Sequence, residues 1–147
     1  MARLAHPVIA RTKGGARGLD YGCGQVPALG DLFTRSDRPT ASYDPHFRPD
    51  SALLESRYDF LTCSEVIEHV HDPLPLLERF GALVHPGGII GVMTRPYDTA
   101  GPFGAWWYRR DPTHVCFYSA QTMTWIGARF DWPVERVTPE VTIFSAV

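Results

Sequence analysis

The chain has 147 residues, 44% of them hydrophobic and 20% charged, with a formal net charge of −2. That composition describes one soluble globular domain with one core, and the near-neutral charge argues against nucleic acid or an anionic membrane as a partner. No apolar run approaches the roughly 20 residues that cross a bilayer. The basic start has no continuous apolar stretch of the secretory kind. Three cysteines in no paired spacing point to a reducing cytoplasm, not a disulfide scaffold.

In chain order, residues 1–16 read as a basic, irregular lead-in to a single domain spanning 1–147. Residues 17–21 predict a short strand that ends in the turn Gly22-Cys23-Gly24. Val26, Leu29, Leu32 and Phe33 then recur at helical spacing, with Pro27 in the first turn. A second strand is expected over 40–44, a loop or weak helix over 46–56, and a third strand over 58–63. Asp72 and Pro73 look like the cap and first residue of a helix whose apolar face is Leu76, Leu77, Phe80, Leu83 and Val84. Gly87 and Gly88 are expected to end it, because glycine takes the left-handed cap.

The run 89–94 suits a strand buried on both faces. The segment 96–118 is long for a mere connection and is a candidate substrate loop or lid. Ser119 caps a last helix with Met123, Ile126 and Phe130 inward, and 134–146 closes the chain as an antiparallel hairpin. The alternation predicts an α/β fold with a mixed, mainly parallel sheet, and ligands at the carboxyl ends of its strands.

The strongest chemical signal is Asp20-Tyr21-Gly22-Cys23-Gly24 with Asp44 at the end of the next strand. Glycines let main chain approach a ligand, and a carboxylate one strand over can accept both hydrogen bonds of a ribose diol. Pro27 occupies the last position of a dinucleotide fingerprint, and no Gly-Lys-Ser/Thr comes after it, so nothing is prepared for a pyrophosphate.

Taken together, three segments resemble the class I S-adenosylmethionine-dependent methyltransferases. Leu19-Asp20-Tyr21-Gly22-Cys23-Gly24 looks like their motif I. Tyr58 onward through Ser64-Glu65-Val66-Ile67-Glu68-His69-Val70 resembles their fourth strand and the lead into the next helix. Asp72-Pro73, with Leu83-Val84-His85-Pro86-Gly87-Gly88, resembles that helix and its turn into the fifth strand. The resemblance covers about residues 17–93 and implies a Rossmann-like three-layer sandwich that binds S-adenosyl-L-methionine. It implies that Gly22, Cys23 and Gly24 pass under the methionyl part, with Asp20 at its amino group. It further places Asp44 on the ribose hydroxyls, and Ser64 and Glu65 beside the sulfonium methyl. Two departures stand out. Val26 sits where many members have a third glycine, and the stretch 45–57 is too short for the usual third strand, which is expected to be missing with its adenine-binding acid.

After the fifth strand, where methyl acceptors bind in the family, lies Tyr108-Arg109-Arg110-Asp111-Pro112-Thr113-His114. His114 has the chemistry of a general base, with Asp111 placed to orient it; the alternative is a helix-capping or loop-fixing role. Trp106, Trp107 and Tyr108 are candidates for an aromatic wall, and Arg109 for an anionic acceptor, though packing and solvation are the plain alternatives. No metal is expected, since His69 and His71 are not a facing helical pair and no dicysteine spacing supports zinc.

The function expected is therefore a methyltransferase acting on a small molecule, against two alternatives. One is a non-catalytic cofactor- or partner-binding module on a reduced methyltransferase fold. The other is a nucleotide-dependent oxidoreductase, disfavoured by Pro27. A chain this short is also expected to leave one sheet face thinly covered and to form a homodimer over it.

Overall fold

The computed structural model describes residues 2–147. Its ten regular elements, in chain order, are α1 (Ala2–Arg11), β1 (Gly18–Tyr21), α2 (Ala28–Arg35), β2 (Thr40–Tyr43), β3 (Tyr58–Ser64), α3 (Pro73–Leu83), β4 (Val84–Met93), α4 (Ala120–Phe130), β5 (Val134–Arg136) and β6 (Val141–Ser145). The strands form one sheet in the order β2-β1-β3-β4-β6-β5. β2, β1, β3 and β4 run parallel, and β6 and β5 are antiparallel. The chain leaves β1 toward one edge and returns to β3 on the other side. The switch in direction therefore lies at β1, where an open parallel sheet places its ligand crevice.

Period-two alternation sends successive side chains to opposite faces. Leu19, Tyr21, Leu61, Cys63, Ile90, Val92 and Phe144 meet Leu77 and Phe80 of α3 and Met123 and Ile126 of α4. Phe60, Ile89, Met93, Val141 and Ile143 meet Leu4, Ala5 and Val8 of α1 and Leu29 and Phe33 of α2. Both faces are thus covered, and the thin face expected to drive self-association is not there. The stretch 45–57 holds only a 3-10 turn, Ser51–Glu55, so β2 is the sheet edge and no strand lies beyond it.

The lead-in expected over 1–16 is corrected: it contains α1. Pro7 inside that helix and the exposed basic residues hide the apolar stripe of Leu4, Ala5 and Val8. Pro7 lies past the first turn, so the helix goes without the one hydrogen bond that a backbone N–H there would make. The stripe lies close against β4, where a Cβ on Gly91 would come within 3.0 Å of Val8 and 3.1 Å of Leu4. Arg38 secures the far end of α1. Its Nη2 donates to the carbonyls of Ile9 at 3.0 Å and Thr12 at 2.6 Å, and its Nε to Thr12 Oγ1 at 2.8 Å. A cation there also complements the helix dipole.

Two further expectations are adjusted. Val26 is not in the second helix but is 70% exposed before it, with Pro27 as the cap residue. Gly87 and Gly88 do not cap α3, because the chain turns extended at Val84 and β4 begins there. They sit in a bulge between the Tyr58–Val84 and Phe60–Ile89 pairings, with Gly87 N donating to Ala146 O at 2.8 Å. Ser119 caps α4 as expected, its hydroxyl accepting from Thr122 N at 3.1 Å.

Asp20 faces α2, not α3. Its carboxylate is 3% exposed, and Thr62 Oγ1 donates to it at 3.0 Å. The Gly30 N–H in the first turn of α2 is a second partner. Burial lifts the Asp20 carboxyl to about 6 from an ordinary 3.8, against those two hydrogen bonds. The folded chain therefore keeps a proton that the unfolded chain has already released between these values. Asp20 thus favours folding most below pH 4, and its contribution declines as pH rises to about 6, by about 3 kcal/mol. Urea melts of wild type and Asp20→Asn at pH 4 and pH 7 should show that decline largely removed in the variant. Arg38→Ala should lower the unfolding free energy by about 2 kcal/mol, read in the same melts.

Candidate functional site

The carboxyl ends of β1, β2 and β3 open onto a cleft of about 620 Å³ lined by Tyr21, Gly22, Gly24, Asp44, Phe47, Glu65, Val66, His69 and Val70, among others. The turn after β1 is fixed from the neighbouring strand. Gly22 N and Cys23 N both donate to Tyr43 O, at 2.8 and 3.1 Å. Gly22 has a φ of 78°, and a Cβ there would lie 2.3 Å from Val66 Cγ2, so only glycine fits. The main chain at the cleft is therefore bare, as a ligand lying across it requires.

Asp44 closes the same loop. Its Oδ2 accepts from Gly24 N at 3.0 Å, and its Oδ1 accepts from His46 N and Phe47 N at 2.9 and 3.0 Å. Burial works against its charge, but these N–H groups outweigh it and hold the carboxyl below its ordinary value. An ionised carboxylate has about four acceptor positions, so this one keeps room for a further donor. Phe47, 53% exposed, stands at the cleft lining beside it.

Of the expected cofactor residues, the structure brings Gly22, Gly24, Asp44 and Glu65 to the cleft lining. Asp20, Cys23 and Ser64 are adjacent in the chain but do not line it. The Cys23 thiol donates to Gly24 O, and burial raises its pKa, so it is no ready nucleophile.

The acceptor side is organised by Glu68, a residue that the sequence motifs do not single out. Glu68 is fully buried in a 3-10 turn, Ile67–His69. Its carbonyl accepts from Val115 N and Cys116 N at 2.8 and 3.0 Å, and its Oε1 takes the Tyr108 hydroxyl. Its Oε2 is buried without a partner. The same Tyr108 hydroxyl lies 3.0 Å from Glu65 Oε2. Burial, and then the charge of Glu68, raise the Glu65 carboxyl above its ordinary value. Glu65 also has a φ of 53°, an unusual conformation for a residue with a Cβ. The signal for Glu68 in the sequence is an acid between the apolar pair Val66-Ile67 and His69-Val70, in the segment that resembles the family's lead from the fourth strand.

The segment 96–118 folds as three short 3-10 turns: Tyr97–Thr99, Phe103–Ala105 and Trp107–Arg110. Trp106 and Tyr108 are buried in it, so of the three expected wall residues Trp107, 60% exposed, is the one at the surface. Arg109 donates to Gly104 O at 3.0 and 2.7 Å and lies against Phe103. His114 Nδ1 is 2.7 Å from Tyr108 O, and a carbonyl only accepts, so Nδ1 carries the proton and Nε2 the lone pair. Asp111 is 3.9 Å from that Nε2 and gives its Oδ1 to Thr113. It therefore does not orient His114 by a hydrogen bond; Tyr108 O does. His114 packs edge-on to His69, their ring centroids 4.6 Å apart. Glu68, His69 and His114 each offer a donor atom within 4.8 Å of the others. They are the residues here that could hold a metal ion.

Solved structures of other proteins share this fold. Burkholderia thailandensis 1,6-didemethyltoxoflavin-N1-methyltransferase, solved with 1,6-didemethyltoxoflavin and S-adenosylhomocysteine, superposes with a TM-score of 0.71. The match covers 98% of this chain and 76% of that one, at 15% identity. Magnesium protoporphyrin IX methyltransferase of Synechocystis PCC 6803, with bound S-adenosylhomocysteine, gives 0.67 over 99% and 80%, at 13% identity. These likenesses show the fold. In sequence, the ubiquinone biosynthesis O-methyltransferase of Histophilus somni is 32% identical over 58 residues, which are 40% of this chain and 24% of the relative. The enzyme of the same name from Xanthomonas campestris pv. campestris is 32% identical over 63% of this chain and 46% of the relative. The chain thus spans less than half the length of these curated relatives. The profile of a family described as "Methyltransferase domain" matches residues 1–137, and the chain belongs to that family.

Proposed function

We propose that the chain is an S-adenosylmethionine-dependent methyltransferase that methylates a hydroxyl group of a small molecule. The observation that carries this is the cleft itself. It has a bare glycine turn on one side, an ionised carboxylate with a spare acceptor position on another, and a basic carboxylate, Glu65, on the third. The name of the curated relatives, O-methyltransferases, supports oxygen as the acceptor atom.

The residues present fit the cofactor. Gly22, Cys23 and Gly24 supply main chain for its amino-acid tail. Asp44 would accept from one ribose hydroxyl at the acceptor position its loop leaves free. Phe47 covers the adenine in place of the pocket that a third strand would build. Asp20 supports the turn from below by holding the first turn of α2 through the Gly30 N–H. When bound, the cofactor supplies a methyl group activated by positive sulfur.

The protein must then align the acceptor and take one proton from it. Glu65 has the better position for this. It lines the cleft, it hydrogen-bonds a buried phenol, and burial strengthens its affinity for a proton. His114 keeps a lone pair on Nε2 but does not line the cleft. With Asp111 nearby, it holds the lid over the acceptor side. Trp107 offers its exposed ring to the acceptor.

The reading is tested by titrating the chain with S-adenosylhomocysteine in a calorimeter. Binding is expected, and Asp44→Ala should weaken it by about 10- to 100-fold, the equivalent of one or two charge-assisted hydrogen bonds. No heat from the wild type would overturn the proposal. In a transfer assay with radiolabelled methyl and a panel of phenols, Glu65→Gln should lower kcat by about 100-fold or more while S-adenosylhomocysteine affinity stays close to wild type. Cofactor binding with no transfer to any acceptor would favour the binding-module alternative.

A further inference from the structure

Glu65 lines two cavities. One is the cleft at the glycine turn, and the other is a hollow of about 380 Å³ bounded by Ala2, Arg3, Met93, Arg95 and Glu140. Its side chain is the partition between them. On the methyltransferase reading, on which this inference rests, the methyl group crosses at Glu65. The hollow is then where the acceptor lies.

The chemistry of the hollow is uneven. Two guanidinium groups, Arg3 and Arg95, converge on one carboxylate, Glu140. Arg3 takes the hydrogen bond to it. Arg95 stays 3.6 Å away and, among the described residues, makes no side-chain hydrogen bond to protein. Its position is set instead by aromatic faces: its guanidinium carbon is 5.1 Å from the centroid of Trp107 and 6.0 Å from that of Tyr108. A guanidinium held beside aromatic rings, with N–H groups that make no hydrogen bond to the protein, can receive a carboxylate through two parallel hydrogen bonds. Arg109, the cation the sequence suggests for this task, has its N–H groups on Gly104 O and is not free.

We propose that the acceptor is a small hydroxylated carboxylic acid, its carboxylate held by Arg95 and its hydroxyl directed to Glu65. Met93 forms the floor beneath it, and the exposed face of Trp107 flanks Arg95. Glu140 holds Arg3 by a hydrogen bond and Arg95 by a longer ion pair, which leaves the Arg95 N–H groups without a hydrogen-bond acceptor on the protein among the described residues.

The test uses pairs that differ in charge alone. The whole chain, saturated with S-adenosylhomocysteine, is titrated with 2-, 3- and 4-hydroxybenzoate and with the corresponding hydroxybenzamides. At least one acid should bind about tenfold or more tightly than its amide. Arg95→Gln should abolish that preference, Arg95→Lys should keep part of it, and Arg110→Gln, at an exposed position, should keep all of it. Equal binding of every acid and its amide, or a preference that survives Arg95→Gln, overturns the proposal. The S-adenosylhomocysteine titration is separate, so the two readings fail separately. A chain that binds this compound but treats acids and amides alike remains a methyltransferase candidate without an anion site. A chain that prefers acids through Arg95 but gives no heat with the compound keeps the anion site and loses the methyltransferase reading.

Discussion

A single carbonyl organises the cofactor side. Tyr43 O, at the end of β2, accepts from both Gly22 N and Cys23 N, and the next residue, Asp44, takes Gly24 N on its side chain. The turn after β1 is therefore built from the neighbouring strand rather than from its own sequence. β1 and β2 pair in parallel with Tyr21 opposite Tyr43, so the two strand ends arrive level and the turn reaches its partners without distortion. Had the register slipped by one residue, Asp44 would face the other side of the sheet and the loop would lose its anchor. The absence of a side chain at Gly22 has the same origin in packing, because Val66 fills the only space a Cβ could use.

Glu68 does for the acceptor side what Tyr43 does for the cofactor side. Its backbone holds residues 115 and 116, its carboxylate holds Tyr108, and the connection between them is stitched to the end of β3. Tyr118 adds a third tie, its hydroxyl donating to Ile67 O at 3.0 Å. A connection of this length with no regular helix or strand would be mobile if it rested on solvent. Here it rests on a buried acid, so Trp107 and Arg95 are presented on a fixed frame rather than on a loose flap.

Much of this is legible in sequence, and the parts that are not share a cause. The strand–turn–helix at Gly22, the second strand ending at Asp44, the Asp72–Pro73 helix start, the Ser119 cap and the closing hairpin all depend on neighbours in the chain. Local pattern reports such features well. α1 escapes local pattern because Pro7 interrupts a stripe that only β4 and β6 reveal as buried. The bulge at Gly87 and Gly88 reads as a helix cap because glycine serves both, and only pairing with Ala146 distinguishes them. The roles of Glu68 and Arg95 are tertiary throughout. A lone acid or arginine carries no periodicity, and each is defined by a partner more than ten residues away, or by the lack of one.

The proton count at Tyr108 joins the two sides. A phenol has one proton to donate, yet its oxygen is within hydrogen-bond distance of a carboxylate oxygen on both Glu65 and Glu68. It donates to one of them at a time, and when it turns to Glu68 the Glu65 carboxylate is left free to take a proton. Glu65 lines the cleft, and burial followed by the neighbouring Glu68 raises its affinity for a proton. The fully buried Glu68 accepts from Tyr108, and burial followed by its proximity raises the affinity of Glu65 for a proton. An acid that is readily protonated at the boundary between two cavities is what transfer to a hydroxyl oxygen requires, since the acceptor must lose its proton as the new bond forms. The buried acid, the phenol and the exposed acid thus form one chain of dependence. In it, the interior of the fold sets the chemistry of the surface without touching either ligand.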